Sequence, residues 1–126
     1  KSVIAAESEF TARAKSPAGA LGLMQVMPAT SEYMGISGKA LYEPEANIRA
    51  GTAYMVYLFE RAWRKYHLKG VSYKNAPNWL VQRIVAAYNA GPRFLARRRL
   101  YAQTRDYVRK VLLFYRSKVS ELRATA

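Results

Sequence analysis

Apolar residues recur along this chain at spacings of three and four, the period of helices rather than strands. The longest such pattern runs from Asn47 to Tyr66. There Ile48, Gly51, Met55, Leu58, Phe59, Ala62 and Tyr66 form one stripe, opposed by Arg49, Arg61 and Lys65. Asn78 is placed to cap a helix beginning at Trp79, with Leu80, Ile84, Val85 and Tyr88 facing inward and Gly91-Pro92 as its stop. Thr104 is expected to cap the closing helix, with Asp106 in its electropositive first turn. Val108, Val111, Leu112, Tyr115, Val119 and Leu122 make that helix's inner face. Nearer the start, Val3, Glu7 and Phe10 share one helical face before Ser16, Pro17, Gly19 and Gly22 impose a loop. Pro28 suits the first turn of a short helix that Gly35 terminates. No stretch alternates with period two, and no hairpin dipeptide or internal repeat is present. The pattern predicts a mainly α domain.

Composition narrows the chemistry. A chain of 126 residues, 51% hydrophobic, is one domain with a single core. The absence of cysteine removes disulfides, thiolate metal sites and a cysteine nucleophile. The lone His67 excludes a His-rich metal site and argues against a Ser-His-Asp triad. Any acid/base group must come from seven glutamates, the single Asp106, or a Lys/Tyr device. The net charge of +13, from 21 Lys and Arg against 8 Asp and Glu, draws in polyanions. Nucleic acid, anionic lipid and the carboxylate-bearing bacterial wall all qualify, and a basic surface that serves only solubility is the plain alternative. No apolar run reaches membrane-spanning length, and residues 1–10 lack the features of a signal peptide. Lys1 reads as a cut in or before a helix, so an export signal or membrane anchor is expected upstream.

Glu7 is the anomaly in the pattern. A carboxylate between Val3 and Phe10 on an apolar stripe is costly to bury, and desolvation raises its pKa toward what a general acid needs. The alternative is a frayed segment in which Glu7 reaches water. Glu9 points the other way, with Arg13 four residues on as a surface partner. The loop from Ser16 to Pro28 contains Gly19 and Gly22, which allow backbone to approach a ligand, and Gln25, whose amide suits sugar hydroxyl and acetamido groups. Met24 and Met27 follow as core filler or groove wall. Ala86 to Pro92 brings Tyr88, Asn89 and Gly91 together at a helix end. Taken singly, each of these features has an ordinary structural explanation.

Together they resemble the catalytic domain of bacterial soluble lytic transglycosylases, on the goose-type lysozyme-like fold. Glu7-Ser8-x-Phe10 resembles the catalytic glutamate motif, and Ser16 to Thr30 resembles Ser-Pro-x-Gly-x-x-Gly-Leu-Met-Gln-x-Met-Pro-x-Thr. Glu43 to Gly51 resembles the Pro-x-x-Asn-Ile-x-x-Gly helix start. Ala86 to Pro92 resembles Ala-Ala-Tyr-Asn-Ala-Gly-Pro, and Thr104-Arg105-x-Tyr107-Val108 a closing element. The resemblance spans nearly all of residues 1–126 and implies a catalytic domain within a longer natural chain.

The resemblance implies Glu7 as the catalytic acid/base, acting on peptidoglycan glycan strands in the periplasm or cell envelope without metal or cofactor. It implies Ser16, Gly22, Gln25 and Met27 around the scissile bond, Tyr88 beside the carboxylate, Asn89 in the same motif, and Tyr107 on the groove wall. Gln103 stands where the family usually has glutamate, so altered substrate binding with retained chemistry is expected. Residues 64–80 are longer than the family pattern, a basic and aromatic stretch that it leaves unmatched. A lysozyme-like hydrolase and a catalytically silent glycan-binding module are the competing expectations. Arg93, Arg97, Arg98 and Arg99 would suit phosphate contacts, a solvated face or anionic wall polymers. Nucleic acid is not the expected partner, and membrane contact is expected only through segments outside this chain.

Overall fold

The computed structural model describes residues 1–125, with side chains described through Arg116. Five α-helices account for most of it: α1 (Ser2–Ser8), α2 (Pro28–Tyr33), α3 (Pro44–Lys65), α4 (Asn78–Ala90) and α5 (Ala102–Thr125). Short 3₁₀ turns at Gly38–Ala40, Tyr73–Asn75 and Pro92–Ala96 join them. Among the described residues the only β pairing is two isolated bridges, Lys15 with Leu21 and Leu21 with Val26. The mainly α expectation holds.

Two compact units divide the chain, the first formed by residues 1–54 and 110–126, the second by residues 55–109. The divisions fall inside α3 and α5. In the first unit Ile4, Met24, Val26, Leu41, Ala46, Ala50 and Val111 are buried. α2 ends as its sequence predicts. Gly35 takes φ 82°, its N–H reaches the Glu32 carbonyl, and the Ile36 N–H reaches the Ser31 carbonyl, each at 3.0 Å. This paired closure satisfies two carbonyls that a helix end leaves orphaned, and it favours glycine in the left-handed position. The buried Ser31 hydroxyl adds a bond of 2.7 Å to the Ile36 carbonyl.

In the second unit α4 is apolar on its inner face, burying Leu80, Ile84, Val85, Ala86, Ala87 and Tyr88. Gly91 at φ 112° ends it, and Pro92 starts the 3₁₀ turn that buries Phe94 and Leu95. Burying a side chain of that size contributes about 1.5–3 kcal/mol. Tyr66 ties the end of α3 to this turn: its hydroxyl donates to the Leu95 carbonyl at 2.7 Å and accepts from Arg83 Nη1 at 2.8 Å.

Several expected details shift. On α3 the buried positions are Ala46, Asn47, Ala50, Gly51, Leu58, Ala62 and Trp63, while Ile48 is exposed. The inner stripe is therefore rotated from the one the large apolar residues suggested, because its first turns pack alanine, glycine and an amide closely. Asn78 is the first residue of α4 and not its cap. Pro77 holds that position in extended geometry, with no side-chain cap bond. α5 starts at Ala102, so Thr104 lies inside its first turn and is buried, whereas Asp106 is exposed and 4.0 Å from Arg109. Val108 and Val111 do face inward, but Tyr115 is exposed; Val119 and Leu122 lie outside the residues whose side chains are described.

Candidate active site

The first unit assembles Glu7 and the loop from Ser16 to Met27. α1 stops at Ser8 because Glu9 and then Phe10 adopt left-handed backbone, with φ of 51° and 63°. Two such residues in succession, neither of them glycine, are uncommon and cost energy that the surroundings must hold. The buried stripe of α1 is Ile4 and Ser8, one turn apart, and Phe10 is exposed. Glu7 therefore flanks the apolar stripe instead of sitting within it, and it is half-buried. The expected Glu9–Arg13 pair does not form, since the helix has already ended. Arg13 lies over the Tyr42 ring, 5.7 Å from its centre.

The residue after Glu7 joins α1 to the loop. The Ser8 hydroxyl is within 2.7 Å of the Leu23 carbonyl and 3.1 Å of the Ile4 carbonyl. The loop is then folded on itself by short-range bonds. Ser16 Oγ accepts from the Ala20 N–H at 3.0 Å, and the Ser16 N–H donates to the Ala20 carbonyl at 2.9 Å. Gln25, at φ 49°, donates from Nε2 to the carbonyls of Ala14 at 3.1 Å and Gly22 at 2.9 Å. Both amide protons of Gln25 thus hold the loop, leaving its carbonyl oxygen to face other groups. Met27 presents an exposed thioether side chain.

A residue that the sequence argument quoted but did not single out anchors this loop. Asn47, on α3, has no solvent exposure. Its Oδ1 accepts from the Met24 N–H at 2.7 Å, and its Nδ2 donates to the carbonyls of Leu21 at 2.8 Å and Leu41 at 2.7 Å. One side chain thus bonds three backbone groups, of which the Leu21 carbonyl also accepts from the Val26 N–H at 3.0 Å. Gly22, at φ 78°, packs against that amide so closely that a Cβ there would collide with Asn47 and the Leu41 carbonyl. A Cβ on Gly51, one turn further along α3, would collide with Met24. The signal was available: a buried amide inside an apolar helical face is nearly always a hydrogen-bonding hub.

The remaining sequence-predicted residues belong to the second unit. Tyr88 is buried in the last turn of α4, and its neighbour Asn89 is exposed. On α5, Gln103 is exposed and Tyr107 is buried, with 9% of its surface accessible.

Comparison with known proteins fits this arrangement. Residues 1–110 match the family model described as the transglycosylase SLT domain. The chain is 32% identical over 125 residues to the soluble lytic murein transglycosylase of Escherichia coli (strain K12), an alignment covering 86% of this chain and 18% of that protein. It is 38% identical over 98 residues to the membrane-bound lytic murein transglycosylase C of Haemophilus ducreyi, covering 71% of this chain and 24% of that one. Among solved structures it resembles the 70 kDa soluble lytic transglycosylase of Escherichia coli, with a TM-score of 0.64 and 27% identity over 88% of this chain and 19% of that chain. It also resembles an inactive glutamate-to-glutamine mutant of the lytic transglycosylase Slt from Pseudomonas aeruginosa, with a TM-score of 0.66 and 28% identity over 94% of this chain and 21% of that chain. The chain thus spans 18% of the length of the first of these relatives. Relatives include both soluble and membrane-bound enzymes, and among the described residues no helix is long and apolar enough to cross a membrane. With a family model matched over 110 of its 126 residues and the helical fold shared with two solved lytic transglycosylases, the chain belongs to the transglycosylase SLT domain family.

Proposed function

We propose that residues 1–126 are the catalytic domain of a peptidoglycan lytic transglycosylase, with Glu7 acting first as acid and then as base. The observation that carries this is the local construction around Glu7. A half-buried carboxylate lies in the last turn of α1, and the adjacent Ser8 is bonded into the loop whose sequence defines the family resemblance. A glycosidase of the usual kind needs two carboxylates. One suffices where the substrate supplies the second nucleophile. Protonated Glu7 donates to the oxygen linking N-acetylmuramic acid to N-acetylglucosamine, and the C1–O bond breaks. The muramic acetamido oxygen supports the positive charge developing at C1. Glu7, now anionic, takes the proton of the muramic C6 hydroxyl as that oxygen bonds to C1. The proton lent is recovered, no water is consumed, and a 1,6-anhydro ring results. A group used in both directions works best with a pKa near the working pH.

In the first unit, Ser16, Gln25 and Met27 are assigned to the glycan beside Glu7, with Gly22 shaping the backbone under them. In the second, Tyr88, Asn89, Gln103 and Tyr107 are assigned to the substrate on the strength of the family motifs. With peptidoglycan strands as its partner, the domain is assigned to the periplasm or cell envelope. The inactive glutamate-to-glutamine form of the Pseudomonas relative supports a mechanism that depends on one glutamate.

Digestion of purified sacculi followed by mass spectrometry of the muropeptide ends tests the reaction. Anhydromuramoyl ends are expected. Reducing ends alone would make the domain a hydrolase, and no release at all a binding module. Glu7→Gln should lower the cleavage rate by at least about a thousandfold while glycan binding persists. Retained cleavage in that variant would move the acid elsewhere.

A further inference from the structure

The end of α3 and the loop after it build a cleft of their own. Between the last turns of α3 and the loop after it lies an open cavity of about 260 Å³, lined by Glu60, Trp63, Arg64, Lys69 and Tyr73. The loop is held in place from within. Trp63 Nε1 donates to the Val71 carbonyl at 2.9 Å. The Tyr73 ring stands edge-on to Trp63 at 4.8 Å and 5.2 Å from Phe59. Tyr73 still keeps 46% of its surface exposed, although three aromatic rings meet there. Around this apolar surface stand one anion and two cations, and among the described residues no ion pair joins Glu60 to Arg64 or Lys69.

Glu60 and Arg64 are one helical turn apart on α3, while Lys69 comes from the loop. A neutral sugar could hydrogen-bond these groups but would neutralise none of the three charges, and a phosphate polyanion would meet Glu60 as a repulsion. An apolar body carrying a carboxylate at one place and an ammonium at another engages every lining group. We propose that this cleft binds a short zwitterionic peptide, with its carboxylate at Arg64 and Lys69, its ammonium at Glu60 and its aliphatic part against Tyr73. Given the wall substrate proposed above, on which this assignment rests, the peptide is the stem carried by the glycan strand. The cleft is then a peptide-reading site built from residues of the second unit other than those assigned to the glycan.

The probe is free alanyl-isoglutamyl-diaminopimelic acid, titrated into the whole chain by calorimetry, alongside its N-acetylated and carboxamide forms. Saturable binding by the wild type is expected. It should weaken about tenfold or more in Arg64→Ala/Lys69→Ala and in Glu60→Gln, as loss of charge-assisted bonds implies. Arg61→Ala/Lys65→Ala removes the same amount of charge, from α3 outside the cleft, and should leave binding unchanged. Cleavage of peptide-free glycan should be equal in all these variants, while cleavage of stem-bearing strands should fall only in the cleft variants. Wild-type binding that is absent, or lost equally in the Arg61/Lys65 control, would overturn the proposal. Peptide binding by a chain that cleaves no glycan would instead sink the transglycosylase assignment and leave the cleft standing.

Discussion

Asn47 is the residue on which the loop beside Glu7 most depends. Asn47→Ala would strand the Met24 N–H and the Leu41 carbonyl, at about 1–3 kcal/mol for each group left unpaired, and would leave the Leu21 carbonyl only its bond from the Val26 N–H. A loss of about 3–5 kcal/mol is expected, read as a lower urea midpoint at unchanged slope. Gly22 and Gly19 offer a sharper comparison, because both have positive φ, at 78° and 97°. A Cβ at Gly19 meets nothing within 4 Å, whereas at Gly22 it meets Asn47. Gly19→Ala should therefore cost about 1 kcal/mol of backbone strain, and Gly22→Ala at least twice that with loss of activity. Equal costs in a denaturation series would show that the Asn47 contact is soft. The sequence made the glycines visible but not this distinction, since which glycine faces an amide depends on the partner helix. Glu7 shows the same limit. Its motif marked it, but the helical stripe that made it look misplaced was extrapolated through Phe10, two residues past the point where left-handed backbone ends α1.

Elements were legible where local chemistry dictates them and less so where packing does. Pro28, Gly35 and Gly91 mark ends that the structure keeps, because proline geometry and positive φ act within a few residues. The phase of α3 was misjudged because small residues and an amide occupy its closest contacts, and hydrophobicity underweights both. Tyr66 illustrates a different gap. Placed correctly toward the interior, it acts less through its ring than through a hydroxyl bonded to Leu95 and Arg83. Tyr66→Phe should destabilise the chain by about 1–3 kcal/mol, because the Leu95 carbonyl loses its donor and Arg83 loses its acceptor. The effect should be concentrated in the turn Pro92–Ala96, where amide hydrogen exchange will quicken first. A variant as stable and as protected as the wild type would mean that water replaces the hydroxyl at no cost. The start of α4 is the remaining case: Asn78 had the residue type of a cap, but Pro77 before it, at φ −60° and ψ 144°, takes the position.

At the scale of the whole molecule the excess of positive charge was plain from composition, and its consequence follows from how little of it is neutralised. With 21 Lys and Arg against 8 Asp and Glu, 13 cations are left over even if every carboxylate is paired, and the pair of Arg109 with Asp106 at 4.0 Å is largely exposed. An exposed pair of that kind contributes about 0–1 kcal/mol, so mutual repulsion among the cations outweighs it. Added salt screens that repulsion within about 10 Å at 0.1 M, and it equally screens attraction to an anionic wall. The two effects have opposite signs for the molecule. Raising NaCl from about 50 to 500 mM, a range over which the screening length falls severalfold, should raise Tm while weakening sedimentation with purified sacculi. If the charge serves wall association, binding falls with salt even for Glu7→Gln, in which cleavage is expected to be lost, and turnover on sacculi falls in parallel while turnover on short soluble glycan does not. If the charge serves solubility alone, Tm still rises but sacculus binding is indifferent to salt. Duplex DNA in the same sedimentation assay completes the comparison, because a chain built for phosphate would prefer it over sacculi at every salt concentration, and the family to which this chain belongs predicts the reverse.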